Sequence, residues 1–143
     1  MAIRNTTRDT LLADREVWAV TAEQRTRGLL DREGLASGEA LVISPCNSVH
    51  MFGMRFPLDV LFVDKAGRVV RAIEDLKPGQ LTRIYLSARH TIELPVGAIA
   101  ASKTVVGDQL DLGAIPETAG GNTLLWALVG LAAAAALLAV AAA

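Results

Sequence analysis

The sequence predicts a mainly β domain (α+β in class), a small compact barrel or sandwich with one or two short helices, followed by a C-terminal transmembrane helix. Three observations lead there. Short apolar runs rich in Val, Ile and Leu recur between closely spaced Gly, Pro and Asp turn signals. Only two short stretches, after Thr21 and at Pro95, carry a helix-start signature. The last twenty residues, Leu124 to Ala143, contain no charged residue.

The elements follow in chain order. Ile3–Ala13 holds apolar stretches separated by Thr and Arg and reads as a first strand; Glu16–Val20 reads as a second. Thr21 is an N-cap, with Gln24 three residues on completing a capping box, so a helix is expected from Ala22 to about Arg32 with Leu29 and Leu30 turned inward. Ala40–Ser44 is a buried strand ended by Pro45, and Cys46–Arg55 is irregular. Leu58–Val63 is the strongest strand, and the turn Asp64–Gly67 returns the chain as Arg68–Ile73. Further strands are expected at Leu81–Leu86, His90–Leu94 and Gln109–Leu112, with a short helix in Pro95–Lys103 opened by Pro at its first position.

Three regions result: a β-rich domain over 1–114, a linker over 115–123 marked by Pro, Gly-Gly and Asn, and the span over 124–143. As a helix the span is about 30 Å long, the thickness of the hydrocarbon core. Trp126 stands near its entry, where an indole rests at headgroup level. Gly130 and Ala134, four apart, permit close approach of a partner helix. The N-terminus lacks a long apolar run, so no secretory signal is expected. The expected state is therefore single-pass, with the membrane as partner through Leu124 to Ala143 and the domain on the cytoplasmic side. Loop charge cannot check this orientation, because the nearest basic residue before the span is Lys103 and none follows it.

Composition narrows the function classes. Fourteen basic against fifteen acidic residues leave a net charge of −1, so no basic excess points to nucleic acid. The single cysteine, Cys46, excludes an intrachain disulfide. Cys46, His50, Met51 and Met54 form a soft-ligand set, but a closed zinc site wants about four ligands. One cysteine and two histidines do not supply them, so no metal and no cofactor is expected. Cys46 with His50 as base lacks a hydrolase motif around it, and no phosphate loop or dinucleotide fingerprint occurs.

The stretch Cys46–Asp64, reading CNSVHMFGMRFPLDVLFVD, is more specific than any pattern. With it belong Arg27-Gly28-Leu29 upstream, and Ile92–Gly97 and Gly107-Asp108 downstream. In order and spacing they resemble the prokaryotic family called domain of unknown function 192, from about Thr10 to Leu112. Met54–Asp64 carries most of the resemblance; Met51–Gly53 and Ala98–Lys103 depart from the usual pattern. The resemblance implies a compact, predominantly β fold and no established activity.

Asp59 lies inside an apolar strand, on the face shared with Leu61 and Val63. A carboxylate there needs a partner, and Arg55 and Arg27 are the candidates. Two readings compete: an ion pair that fixes the fold, or a polar cluster at a pocket mouth. The second gathers Arg27, His50, Arg55, Asp59 and Glu93. Three functions are carried forward: a membrane-tethered binding or interaction module for a small molecule or protein, an enzyme of hydrolase or lyase type with that pocket, and an accessory subunit of a membrane assembly docking through Gly130 and Ala134.

Overall fold

The computed structural model describes residues 2–116. They form β1 (Ile3–Asn5), β2 (Thr10–Ala13), β3 (Arg15–Ala19), α1 (Ala22–Arg27), β4 (Glu39–Ile43), β5 (Leu58–Val63), β6 (Val69–Leu76), β7 (His90–Leu94), α2 (Ala98–Ser102) and β8 (Leu110–Asp111). The strands make a three-stranded sheet in the order β2-β1-β8 and a five-stranded sheet in the order β3-β4-β7-β5-β6. Neither sheet is closed among these residues, so of the expected barrel or sandwich the barrel is not borne out. Among them no helix is long and apolar enough to cross a membrane. The expected span at Leu124–Ala143 lies outside the described residues.

Local chemistry explains most boundaries. The expected first strand is a hairpin, because Thr6–Asp9 turns the chain; the Asn5 carboxamide oxygen accepts the Arg8 N–H, and Asp9 takes φ +55°. Asp14 separates β2 from β3 and carries the chain from the small sheet to the large one, with the Asp14 and Arg15 N–H groups both donating to the Gly38 carbonyl. Strand β3 pairs with β4 in parallel, which requires a crossover, and α1 supplies it. The capping box forms as expected: the Gln24 N–H donates to the Thr21 hydroxyl at 3.1 Å and the Thr21 N–H to the Gln24 side chain at 3.2 Å. The helix ends at Arg27 and not at Arg32, because Gly28 leaves the helical region with φ +49°. Leu29 is buried just beyond it, while α1 itself buries nothing.

The hairpin β5–β6 forms around Asp64, whose carboxylate accepts the N–H groups of Ala66 and Arg68 at 2.9 Å. Gly67 closes the turn at φ +88°, and an added Cβ would stand 2.6 Å from the Leu110 carbonyl oxygen. The turn is thereby pressed against β8, tying the two sheets together. Leu81–Leu86 is not a strand. Its only ladder contact is the isolated bridge from Leu81 to His50, because the 47–51 loop and not a sheet edge faces it. Helix α2 begins at Ala98 with Gly97 as N-cap, so Pro95 stands before the helix and not at its first position.

The five-stranded sheet is covered on both sides. On one side Leu61, Val63, Ile92, Leu94, Ala40 and Val42 pack with the small sheet (Ile3, Leu12, Leu110) and Ile99 of α2. On the other, Val60, Phe62, Leu41 and Ile43 pack under the connecting loops through Val49, Met51, Met54 and Ala88. Hence all six residues of β5 and all five of β7 are buried, and each large apolar side chain among them contributes about 1.5–3 kcal/mol.

Asp59 belongs to the first side, as the strand alternation predicts, but its partners are not arginines. Oδ2 accepts the Gly97 and Ile99 N–H groups at 3.0 and 3.1 Å, at the start of α2. Oδ1 accepts the Asp75 N–H at 2.9 Å. That N–H is available because β6 carries one extra residue between the pairs Val60↔Ile73 and Leu58↔Leu76, a β-bulge that lifts it from the ladder. A glycine N-cap has no side chain to satisfy the first helical N–H groups, and Asp59 does so from the neighbouring strand.

Asp59→Ala should lower unfolding stability by about 3 kcal/mol in urea titration, since the buried Ile99 N–H and the part-buried N–H groups of Gly97 and Asp75 lose a charged acceptor; an unchanged midpoint would show that water replaces it freely. Gly67→Ala should cost about 2–4 kcal/mol, combining the left-handed backbone with the clash against a main-chain oxygen. Gly79→Ala is the control: its φ is +85° but its Cβ meets nothing, so only about 1–2 kcal/mol should be lost.

Candidate functional site

Strand β7 reads His-Thr-Ile-Glu-Leu and sends its residues alternately to the two sides of the sheet. His90, Ile92 and Leu94 face the small sheet. Thr91 and Glu93 face the loops, where Leu41 and Val60 flank Glu93 on the adjoining strands. The loop after β4 is stitched onto β7: the Cys46 N–H donates to the Arg89 carbonyl at 3.0 Å, and the Thr91 hydroxyl donates to the Cys46 carbonyl at 3.2 Å. Phe62, paired with Thr91 across the sheet, packs its ring on Tyr85 with centroids 4.7 Å apart.

Glu93 is the anomaly of this side. It is 6% exposed, and its Oε2 is sealed from solvent without a hydrogen-bond partner. Burial pushes its carboxyl up to about 7. Two further buried atoms on the covering loop, Asn47 Nδ2 and His50 Nδ1, also lack partners. Cys46 lies close enough to feel the Glu93 charge. Its thiol donates to the Ser48 carbonyl at 3.1 Å. Burial, reinforced by Glu93, raises it to about 11. A thiol held that high is not a nucleophile at neutral pH.

The other sequence-derived site residues lie apart. Asp59 and Glu93 project from opposite sides of the same sheet. His50 is half-buried and stacks on Phe52, with centroids 5.4 Å apart at 20°; burial lowers its pKa. Arg55 is exposed and donates to Glu33 at 3.0 Å. Arg27 stands on the outer side of α1 between Glu23 at 3.8 Å and Asp31 at 3.5 Å. There it lines an open groove of about 540 Å³ with Ala22, Glu23, Thr26, Leu30 and Asp31. Neither arginine is paired with Asp59, because backbone N–H groups already fill both carboxylate oxygens. No single cavity gathers the five residues. Among the described residues, no group of three or more His, Cys, Asp or Glu side chains is placed to hold a metal.

One close pair goes unsignalled by sequence spacing. Ser44 Oγ and His90 Nδ1 are 2.6 Å apart, with the Trp18 ring edge-on to His90 at 5.7 Å. Burial, aided by Arg89, pushes His90 down to about 4, so the imidazole is neutral at physiological pH. Ser44 is 0% and His90 3% exposed, and each fills the other's hydrogen bond, so the pair is a buried polar pin. The residues are 46 apart in the chain, and only the β4–β7 pairing brings them together.

The comparisons with known proteins agree with this architecture. A UPF0127 protein of Thermococcus sibiricus is 39% identical over 67 residues, 45% of this chain. One of Thermococcus gammatolerans is 42% identical over 64 residues, 43% of this chain. The matched region spans about two fifths of those relatives, 41% and 39% of their lengths. A crystal structure of a protein of unknown function from Novosphingobium aromaticivorans superposes with a TM-score of 0.67 at 21% identity, over 77% of this chain and 81% of that one, a likeness of fold alone. Residues 3–112, from the first strand of the small sheet to just past its last, match the family described as DUF192, Uncharacterized ACR, and the chain belongs to that family.

Proposed function

We propose that the chain is a membrane-tethered binding module. Its β-rich domain takes a small molecule that offers hydrogen-bond donors to Glu93, and the run Leu124–Ala143 holds the domain on a bilayer, on the cytoplasmic side. One observation carries the binding role: the unpartnered Glu93 Oε2 on a mostly apolar sheet face whose other polar residue, Thr91, is satisfied by the Cys46 carbonyl. A buried polar group without a partner is costly, and native proteins keep few of them. A ligand beneath the Cys46–His50 loop supplies what the fold omits, with the Asn47 carboxamide nearby as a second polar contact. The tether is supported by twenty residues without a charge, the length of a bilayer span. The enzyme reading needs His50, Arg55, Asp59 and Glu93 around one cavity, and the sheet itself stands between Asp59 and Glu93.

Native mass spectrometry of the full chain, purified from its own host in detergent micelles, tests the binding role. A stoichiometric small-molecule adduct is expected, and Glu93→Gln should lose it. A bare mass for the wild type, or an adduct that survives Glu93→Gln, overturns the reading.

Glu93 also sets a pH signature. Its ordinary value is 4.5 and its folded value about 7, so between them the folded chain holds a proton that the unfolded chain has released. Stability therefore falls as pH rises through that window and levels off above it. His90 acts oppositely: with an ordinary value of 6.5 and a folded value near 4, it makes stability rise with pH between them. In the wild type the two slopes offset each other where they overlap. Glu93→Gln should unmask the His90 slope. Its stability relative to wild type should grow by on the order of 2–3 kcal/mol between about pH 5 and 8 in thermal unfolding. Parallel pH profiles would show that Glu93 is solvated.

A further inference from the structure

We propose that the exposed edge Leu81–Leu86, with Arg83 between its apolar side chains, docks onto the surface of an anionic lipid bilayer and so orients the domain; this rests on the tether described above. Leu86 at 72% and Leu81 at 56% are among the most exposed large apolar side chains of the described residues, and Ile84 lies between them at 38%. They cannot turn inward, because the segment is pinned. The Thr82 N–H donates to the Val49 carbonyl at 3.0 Å and the Tyr85 N–H to the Asn47 carbonyl at 2.9 Å. These bonds turn Thr82 and Tyr85 toward the domain and leave Leu81, Arg83, Ile84 and Leu86 facing solvent. An ordered apolar edge held in water marks a contact surface.

Charge identifies the occupant. From Lys77 to Arg89 the chain carries no acidic residue and three basic ones, Lys77, Arg83 and Arg89, although overall it is slightly acidic. Lys77 makes only a loose contact with Asp75, at 4.0 Å. Leucine and isoleucine beside arginine, with a half-buried tyrosine at their base, is the composition that settles at the headgroup boundary of anionic membranes. Geometry permits it. The nine residues 115–123 reach about 30 Å when extended, while the edge and β8 lie on opposite sides of the large sheet, roughly two layer spacings or 20 Å apart. The tether thus lets this edge meet the bilayer and keeps it within reach.

The test uses the full chain reconstituted in vesicles of phosphatidylcholine and phosphatidylglycerol, with a fluorophore placed through Ser87→Cys or, as control, Lys65→Cys at the hairpin turn. The unsubstituted chain is the labelling blank for Cys46. Acyl-chain spin-labelled lipid should quench the label at 87 and leave that at 65 bright. Leu81→Glu with Leu86→Glu should abolish the quenching, and vesicles of phosphatidylcholine alone, or high salt, should weaken it. Val17→Glu, at a 63% exposed valine of β3, should leave it unchanged. A label at 87 that stays bright while the chain floats with the vesicles overturns the docking edge and leaves the tether standing. So does a label at 87 shielded from water yet unquenched in a self-associated chain, which would assign the patch to a second copy. A chain that does not float with any vesicles overturns the tether and this inference together.

Discussion

The domain depends on one carboxylate. Asp59 is fully buried in the middle of an apolar strand, yet its oxygens receive three main-chain N–H groups from two other parts of the chain. One comes from the β6 bulge and two from the start of α2. A carboxylate in that position is a large desolvation cost without donors and a strong charge-assisted anchor with them. It fixes the register at which β6 bulges, and it seats α2 on the sheet so that Ile99 enters the core shared by the two sheets. Helix α2 has five residues, too few to hold itself together in water, so its existence follows from this anchor and from packing.

From that anchoring comes a division between the two sides of the large sheet. On the small-sheet side most polar groups are completed within the fold, although the Trp18 Nε1 is buried without a hydrogen-bond partner. Asn5 donates to Thr104 and Asp108, Ser102 and Thr104 bond each other, and Asp108 takes Arg8. The loop-covered side leaves more such atoms. Glu93, Asn47 and His50 each keep a buried atom with no partner, although the surrounding Val60, Phe62, Leu41 and Met51 are packed as a core. A fold that satisfies its structural carboxylate three times over has no difficulty in supplying donors. The second buried carboxyl, one strand away, is left bare and carries an uncompensated desolvation cost.

Much of this was legible in the residues, and the gaps have physical reasons. Leu58–Val63 was readable because every residue but one is apolar and a strong turn follows, and Thr21 with Gln24 announced α1 because capping is local chemistry. The face of Asp59 was readable from strand alternation, but its partners were not. Arginine is the partner that sequence suggests for a buried acid; main-chain N–H groups carry no sequence label, and a bulge and a glycine N-cap had to present them. The Leu81–Leu86 run looks like a strand in composition, but it is paired only with the 47–51 loop and lies at no sheet edge. Helix α1 was overextended because Leu29 and Leu30 continue its apolar pattern, whereas Gly28 had already redirected the backbone. The candidate pocket failed to assemble for a simpler reason: Asp59 and Glu93 sit on neighbouring strands, and their register places them on opposite sides.

That register has a consequence for how the domain can work. Residues 59 and 94 are cross-strand neighbours, so Glu93 stands opposite Val60, one position along and on the reverse side of the sheet. The structural acid and the unpartnered acid are therefore separated by a single layer of backbone. Anything that changed the charge of Glu93 would act on strands whose far side anchors α2 and carries the contact with the small sheet. The unpartnered acid and the seating of α2 thus share two strands, β5 and β7.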